Sequence, residues 1–369
     1  MSRPALDHLA WSKANTGRWP LSLADSAVAA PDLAALGLPH EAGPPPAYGE
    51  ALERLAVALG ARRGAPGGRV LVTAGASEAN ACVFAGLLEP GEEALVEVPG
   101  YEPHRSVPAF FGAAVRPFAR RREHAYGRAA EAVEAALTPR TRLVMLTDLH
   151  NPGGVALEPG DARALESLAA RRGLWLACDE TFRDASDRPY GTLSAGSGRW
   201  VTTSTLTKSY GLGSLRLGWV SGPAEALARC AHAQNALSVE PAGPSVALAL
   251  ALVPHLDALR ARARALLARN HAHWEGLVAA GLPVDASVPP RGTTTFVHVP
   301  GPPDAGDALA ALAAERFGLL VVPGRFFGDP RGVRLGLGGE PARCAAALDT
   351  FARAARAFAG ERAAAGETA

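Results

Sequence analysis

Lysine is almost missing from this sequence: of 37 basic residues only Lys13 and Lys208 are lysines, and 35 are arginines. Arginine does not give up its proton in proteins, whereas a lysine amine becomes a nucleophile once its pKa is lowered. A lysine kept where arginine would not serve therefore marks a place for amine chemistry. Cysteine is scarce as well, and the wide spacing of Cys82, Cys178, Cys230 and Cys344 excludes a disulfide framework and a CxxC metal or redox pair. Neither charge is in excess: 37 basic against 36 acidic residues leave +1, without long like-charge blocks, so no polyanion or anionic membrane is expected as a partner. The longest apolar run, residues 246–253, stops at Pro254, well short of the roughly 18 residues of a membrane span. The opening MSRPALDHLAWSKANTG lacks the continuous apolar core and small-residue cleavage site of a secretory signal. These absences together predict a cytoplasmic setting, with no metal, nucleic acid or membrane involved.

What is present is enough apolar residue, 48% of 369, for two or three cores at about 100–200 residues per domain. Short β-rich runs alternate with alanine-rich stretches of helical period, the pattern of an α/β fold with a mostly parallel sheet flanked by helices. Strands are expected at 70–73, 94–98, 142–147, 174–178, 200–204 and 217–221, with helices near 77–88, 129–137 and 159–172. This predicts a large domain over 48–252. An Ala/Leu/Arg-rich stretch broken by Pro254 then leads into a smaller α+β domain, 253–369. There, strands are expected near 294–299, 319–322 and 332–335, and helices near 307–316 and 342–358. Residues 1–47 are expected to join the small domain. EAGPPPAYG at 41–49 reads as a connector, and GERAAAGETA at the end as a frayed tail.

Lys208 lies in TSTLTKSYGLGSLRLGW, in a loop after a strand, among the hydroxyls of Ser204, Thr205, Thr207 and Ser209 and with Arg216 eight residues on. Hydroxyls and a permanently charged fork suit a phosphate. A Ser/Thr-x-x-Lys followed eight residues later by Arg resembles the signature of the fold-type I pyridoxal-phosphate enzymes, specifically the class I/II aminotransferases. Further motifs follow the order that this family has: Gly75, Ala76 and Ser77 in TAGASEAN, Tyr101 in VPGYEPH, Asn151 in LHNPGG, Asp179 in ACDETF and Arg334 in GVRLGLG. With Tyr48 of PPAYGEALERLA the matches run from residue 48 to about 336.

The resemblance implies a role for each residue. Lys208 forms a Schiff base with the cofactor and shuttles the substrate proton, and Thr205, Arg216 and the turn Gly75, Ala76, Ser77 hold the phosphate. Tyr101 stacks on the pyridine ring, Asn151 donates to its 3-oxygen, and Asp179 keeps the ring nitrogen protonated so that the ring can accept electrons. Arg334 binds the substrate carboxylate, and Tyr48 reaches the phosphate of a neighbouring subunit, which implies a homodimer. The implied reaction is ping-pong transfer of an amino group from an L-amino acid to a 2-oxo acid. Two departures stand out: Phe182 where the family usually has a Tyr, and LSLADSAV at 21–28 in place of a glycine-centred substrate loop. QNALSVEPAGPS, 234–245, lacks the second Arg of some dicarboxylate-specific relatives, so neutral amino donors are expected. The same fold hosts β-lyases and other non-transaminating enzymes, which remain the alternative. A non-enzymatic regulator would carry a DNA-binding domain ahead of the large domain, and only 47 residues stand there.

Overall fold

The computed structural model describes residues 6–43, 47–189 and 191–366. In chain order the elements are α1 (Asp7–Asn15), β1 (Leu21–Ser22), α2 (Tyr48–Arg63), β2 (Leu71–Thr73), α3 (Ala76–Leu87), β3 (Glu93–Val98), α4 (Glu102–Phe110), β4 (Ala114–Ala119), α5 (Ala129–Ala136), β5 (Thr141–Thr147), α6 (Pro159–Arg172), β6 (Trp175–Asp179), β7 (Trp200–Thr205), β8 (Gly218–Ser221), α7 (Ala224–Leu237), α8 (Gly243–Leu252), α9 (Leu256–Ala279), β9 (Thr294–His298), α10 (Ala305–Phe317), β10 (Leu319–Leu320), β11 (Val322–Pro323), β12 (Gly332–Gly336) and α11 (Pro341–Ala364).

A seven-stranded sheet runs β2-β8-β7-β6-β5-β3-β4, with β8 antiparallel to both its neighbours and the other strands parallel. Its central strands are apolar on both faces because helices cover both. In β5 alternate side chains divide between them: Leu143 and Met145 pack with Phe84, Val83 and Cys230 beneath α3 and α7, while Val144 and Leu146 pack with Val133, Leu165 and Leu168 beneath α5 and α6. Full burial of each such side chain contributes about 1.5–3 kcal/mol. Helix α6 starts with Pro159 in its first turn and ends at Gly173, φ +67°, both common boundary signals.

A second, antiparallel sheet has the order β11-β12-β9, and β1 pairs in parallel with β10. Leu23 and Val28 are buried in the same apolar cluster as Val297, Leu309, Leu335 and Phe351. The expected strand at 319–322 is two short strands, one for each of these sheets. Strand β4 was not anticipated, because Arg116 and Pro117 hide the strand pattern, and proline is tolerated there only because β4 is an edge strand. The expected frayed tail, 360–369, is corrected in its first residues, while 367–369 lie outside the described residues. Helix α11 continues through Ala364, its Ala, Glu and Arg being strong helix formers. In the expected connector, Pro44, Pro45 and Pro46 lie outside the described residues, and Tyr48 and Gly49 already begin α2.

Candidate active site

Parallel strands end along one edge of the large sheet, where ligands of such sheets bind, and the predicted residues gather there. Tyr101 follows β3, Asn151 follows β5, Asp179 ends β6, Thr205 ends β7, and Ala76 and Ser77 open α3 after β2. With Lys208, Arg216 and Arg334 they line one cavity of about 410 Å3, within the size range of small-ligand sites. Gly75 is not among its lining residues, and neither is Tyr48. Its hydroxyl donates to the Pro241 carbonyl at 2.6 Å, and burial, followed by Glu240, raises its pKa.

Asp179 is buried yet keeps its charge. Burial by itself would raise its pKa, but His104, the Thr181 hydrogen bond and Asn80 outweigh that and hold it below the ordinary aspartate value. Asn80 Nδ2 donates to Oδ2 at 2.9 Å, the Thr181 N–H donates to Oδ1 at 3.0 Å, and His104 Nε2 lies 3.5 Å from Oδ2. Thr203 fixes Asn80 in turn, donating to its Oδ1 at 2.6 Å. The sequence reading missed Asn80 and His104, although both sit inside quoted motifs: Asn80 one helical turn after Ala76, His104 three residues after Tyr101. Tyr101 is half-buried, with its pKa pushed up to about 12 by desolvation and then by Asp179.

The anion end of the cavity is shaped by close backbone approach. Gly75 has φ +90°, and a Cβ there would stand 2.9 Å from Arg216 Nη2; a Cβ on Gly218 would stand 2.6 Å from the Gly75 carbonyl carbon. Only glycines let β8, the α3 entry and the arginine come together. The first N–H groups of α3 have no partner within the helix, and they point to where its dipole favours an anion. Thr205 donates to the Leu217 carbonyl at 2.6 Å and accepts from the Thr207 N–H at 3.2 Å; the Thr207 hydroxyl, 3.0 Å away, also lines the cavity. Ser204 and Ser209 turn the other way, towards the carbonyls of Glu180 and Thr181.

Lys208 Nζ stands 3.7 Å from Asp25 Oδ1. Burial lowers its pKa, Arg334 and Arg216 lower it further, and Asp25 opposes them. Arg334 is 4% exposed, its Nη2 donates to the Ala24 carbonyl at 2.6 Å, and its buried Nε has no partner. Among the described residues no carboxylate lies within 4.0 Å of it, and burial brings its pKa down to about 10. A buried cation without a counter-ion suits a carboxylate ligand. Asn151 likewise keeps a buried Oδ1 without a partner. Phe182, buried beside Leu149 and Ala156, lines the cavity without offering a hydroxyl. Behind the site Arg63 bridges Glu180 at 3.0 Å and Asp184 at 2.5 Å, which ties α2 to the segment that follows Asp179. Helix α1 roofs the cavity with His8, Trp11 and Asn15, at the spacing of one helix face; no reading of the sequence had placed it there.

The model of the family "aminotransferase class I and II" matches residues 16–351. The chain belongs to this family. Arginine–pyruvate transaminase AruH of Pseudomonas aeruginosa is 34% identical over 293 residues, 74% of this chain and 72% of that protein. Capreomycidine synthase of Streptomyces vinaceus is 33% identical over 289 residues, 77% of this chain and 74% of that one. A solved PLP-dependent aminotransferase from Streptococcus suis has the same fold, with a TM-score of 0.87 at 20% identity over 97% of this chain and 99% of that one. The protein is thus a pyridoxal-phosphate-dependent aminotransferase of fold type I. Its cavity fits the cofactor: an anion cradle shaped by the Gly75 turn and Arg216 at one end, a buried carboxylate held below its ordinary pKa, a buried amide whose oxygen has no partner, and a lysine with lowered pKa. Among the described residues no helix is long and apolar enough to cross a membrane, and no group of His, Cys, Asp or Glu is placed to hold a metal ion.

Proposed function

We propose that this aminotransferase works as a cytoplasmic homodimer, taking the amino group of an L-amino acid without a second carboxylate and passing it to a 2-oxo acid in ping-pong order. The observation that carries the reading is the convergence of Lys208, Asp179 and Arg334 on one cavity. Pyridoxal phosphate, when bound, supplies an aldehyde that exchanges amines and a ring that withdraws electrons from the substrate Cα. Around it Arg216, Thr205, Thr207 and the turn Gly75, Ala76, Ser77 would hold the phosphate, Tyr101 the ring face, Asn151 the 3-oxygen and Asp179 the ring nitrogen. Arg334 grips the substrate α-carboxylate and Lys208 Nζ takes and returns the Cα proton. Tyr48, outside its own cavity, completes the phosphate site of a second subunit. The chain divides into a large domain, 48–252, and a small domain, 253–369, of which residues 1–47 become part. Four free buried thiols support the cytoplasmic setting.

The donor class follows from charge. Among the described residues the cavity-lining cations are Lys208, Arg216 and Arg334, each already assigned, which leaves none of them for a side-chain carboxylate. The likeness to a transaminase named for arginine and pyruvate supports neutral or basic donors and a small acceptor. Screening amino donors by the visible absorbance change of the loaded enzyme, then adding pyruvate, tests this. Conversion by neutral or basic donors and recovery with pyruvate are expected; turnover of aspartate or glutamate alone would overturn the donor class. The relative named a synthase favours a second reading, chemistry without net transamination, which would show as product released with no acceptor present.

A further inference from the structure

We propose that Asp25 is a positioning residue for the Lys208 amine, holding it by charge on the small-sheet side of the cavity whenever the lysine is not covalently engaged. The proposal rests on Lys208 being the reacting amine. Asp25 belongs to LSLADSAV, the segment that departs from the family pattern.

The segment is a strap fastened at both ends. The Leu23 N–H donates to the Leu320 carbonyl at 2.8 Å, the Gly336 N–H to the Leu23 carbonyl at 2.6 Å, and the Ala29 N–H to the Gly338 carbonyl at 2.7 Å. Arg334 donates to Ala24. On the other side the Val28 N–H donates to the carbonyl of Lys208 itself at 2.9 Å. The strap lies so close to β12 that a Cβ on Gly336 would stand 1.8 Å from the Asp25 carbonyl oxygen. The Ala27 N–H donates to Asp25 Oδ1 at 2.9 Å, which aims the carboxylate at Lys208 Nζ, 3.7 Å away. With 79% of its side chain exposed, Asp25 brings a charge beside the amine at little desolvation cost.

The other groups around Lys208 explain why a carboxylate is wanted. Arg334 on β12 and Arg216 in the turn before β8 are cationic, and His8 comes from α1 and Tyr101 from the start of α4. Asp179, the other cavity-lining acid among the described residues, is taken by Asn80, His104 and the Thr181 N–H. Two arginines of the same cavity therefore disfavour an ammonium at Lys208, the form it takes each time it accepts the Cα proton. Asp25 offsets them and keeps the amine basic enough to accept that proton.

The two-lysine composition gives a direct test. In the full-length chain loaded with pyridoxamine phosphate, which leaves Lys208 free, competitive acetylation across pH with peptide mass spectrometry reads each lysine separately, Lys13 serving as reference. In Asp25→Asn, which keeps an oxygen for the Ala27 N–H, the Lys208 curve should move to lower pH while that of Lys13 stays in place. Asp25→Glu should return it towards the wild-type position, and the limb of the pH–rate profile carried by Lys208 should follow. A Lys208 curve that is unchanged or moves upward in Asp25→Asn overturns the proposal. Asp25→Ser, which also offers an acceptor oxygen to Ala27, replaces Asn if that variant does not fold. A chain that binds no cofactor would sink the wider reading instead, and labelling of that chain would still decide the role of Asp25.

Discussion

The floor and the roof of the cavity are built on opposite principles. The floor is the ends of β3, β5, β6 and β7, where a fully bonded sheet leaves each residue one place to be: Asp179 and Thr205 are buried and hydrogen-bonded. The roof is residues 8–26, half-buried and aromatic, held by a short helix and a strap whose side chains make few bonds to the floor. Pre-organised charge is worth most where water is excluded and nothing must move. The floor therefore suits the invariant part of the chemistry, and the roof the part that chooses a substrate.

If that division holds, floor variants should fail in the chemical step. Lys208→Ala should lose at least about 10^4-fold in turnover, and Lys208→Arg should fail too, since it keeps the charge without a usable amine. Near-normal turnover of either would end the assignment. Asp179→Ala should cost about 10²–10³-fold in kcat, with Asn80→Ala moving the same way by less; cofactor binding retained while kcat collapses is the expected signature. Arg334→Ala sits at the boundary, and should weaken kcat/KM for amino donor and oxo acceptor alike by about 2–3 kcal/mol, about 30- to 150-fold. An effect on one partner only would mean that the carboxylate is held elsewhere. The smallest effect is expected in the roof. Burial, with Arg334 next, brings the pKa of His8 from 6.5 down to about 3, so between those values the unfolded chain binds a proton that the folded chain refuses. Stability should fall as pH drops through that window, and less so in His8→Phe. Thermal melts of the two proteins that run parallel on acidification would contradict it.

The same division governs what the sequence disclosed. The floor was legible because its residues lie at fixed offsets from strands whose apolar runs announce themselves: 142–147 was expected and Thr141–Thr147 found, and Asp179 and Asn151 follow from where such strands stop. Asn80 and His104 were in plain view but carried no signal of their own, because what makes them matter is a contact with a residue 99 positions away in one case, a hydrogen bond, and 75 in the other, a close approach of charge. The roof was illegible for a stronger reason. Helix α1 has little amphipathic contrast, β1 is two residues long, and its partner lies at Leu319; local pattern says nothing about a contact made across nearly the whole chain.

That separation has a consequence for how the protein is made. Synthesis delivers residues 21–29 first, yet their partners, Leu319, Leu320, Arg334, Gly336 and Gly338, come out some 300 positions later. The large sheet can assemble from neighbouring segments on the ribosome while the strap waits, since loop-closure entropy delays contacts of such long range. Until Leu319 and Leu320 exist the strap has no strand to pair with, and the floor around Lys208 stands without the contacts that cover it.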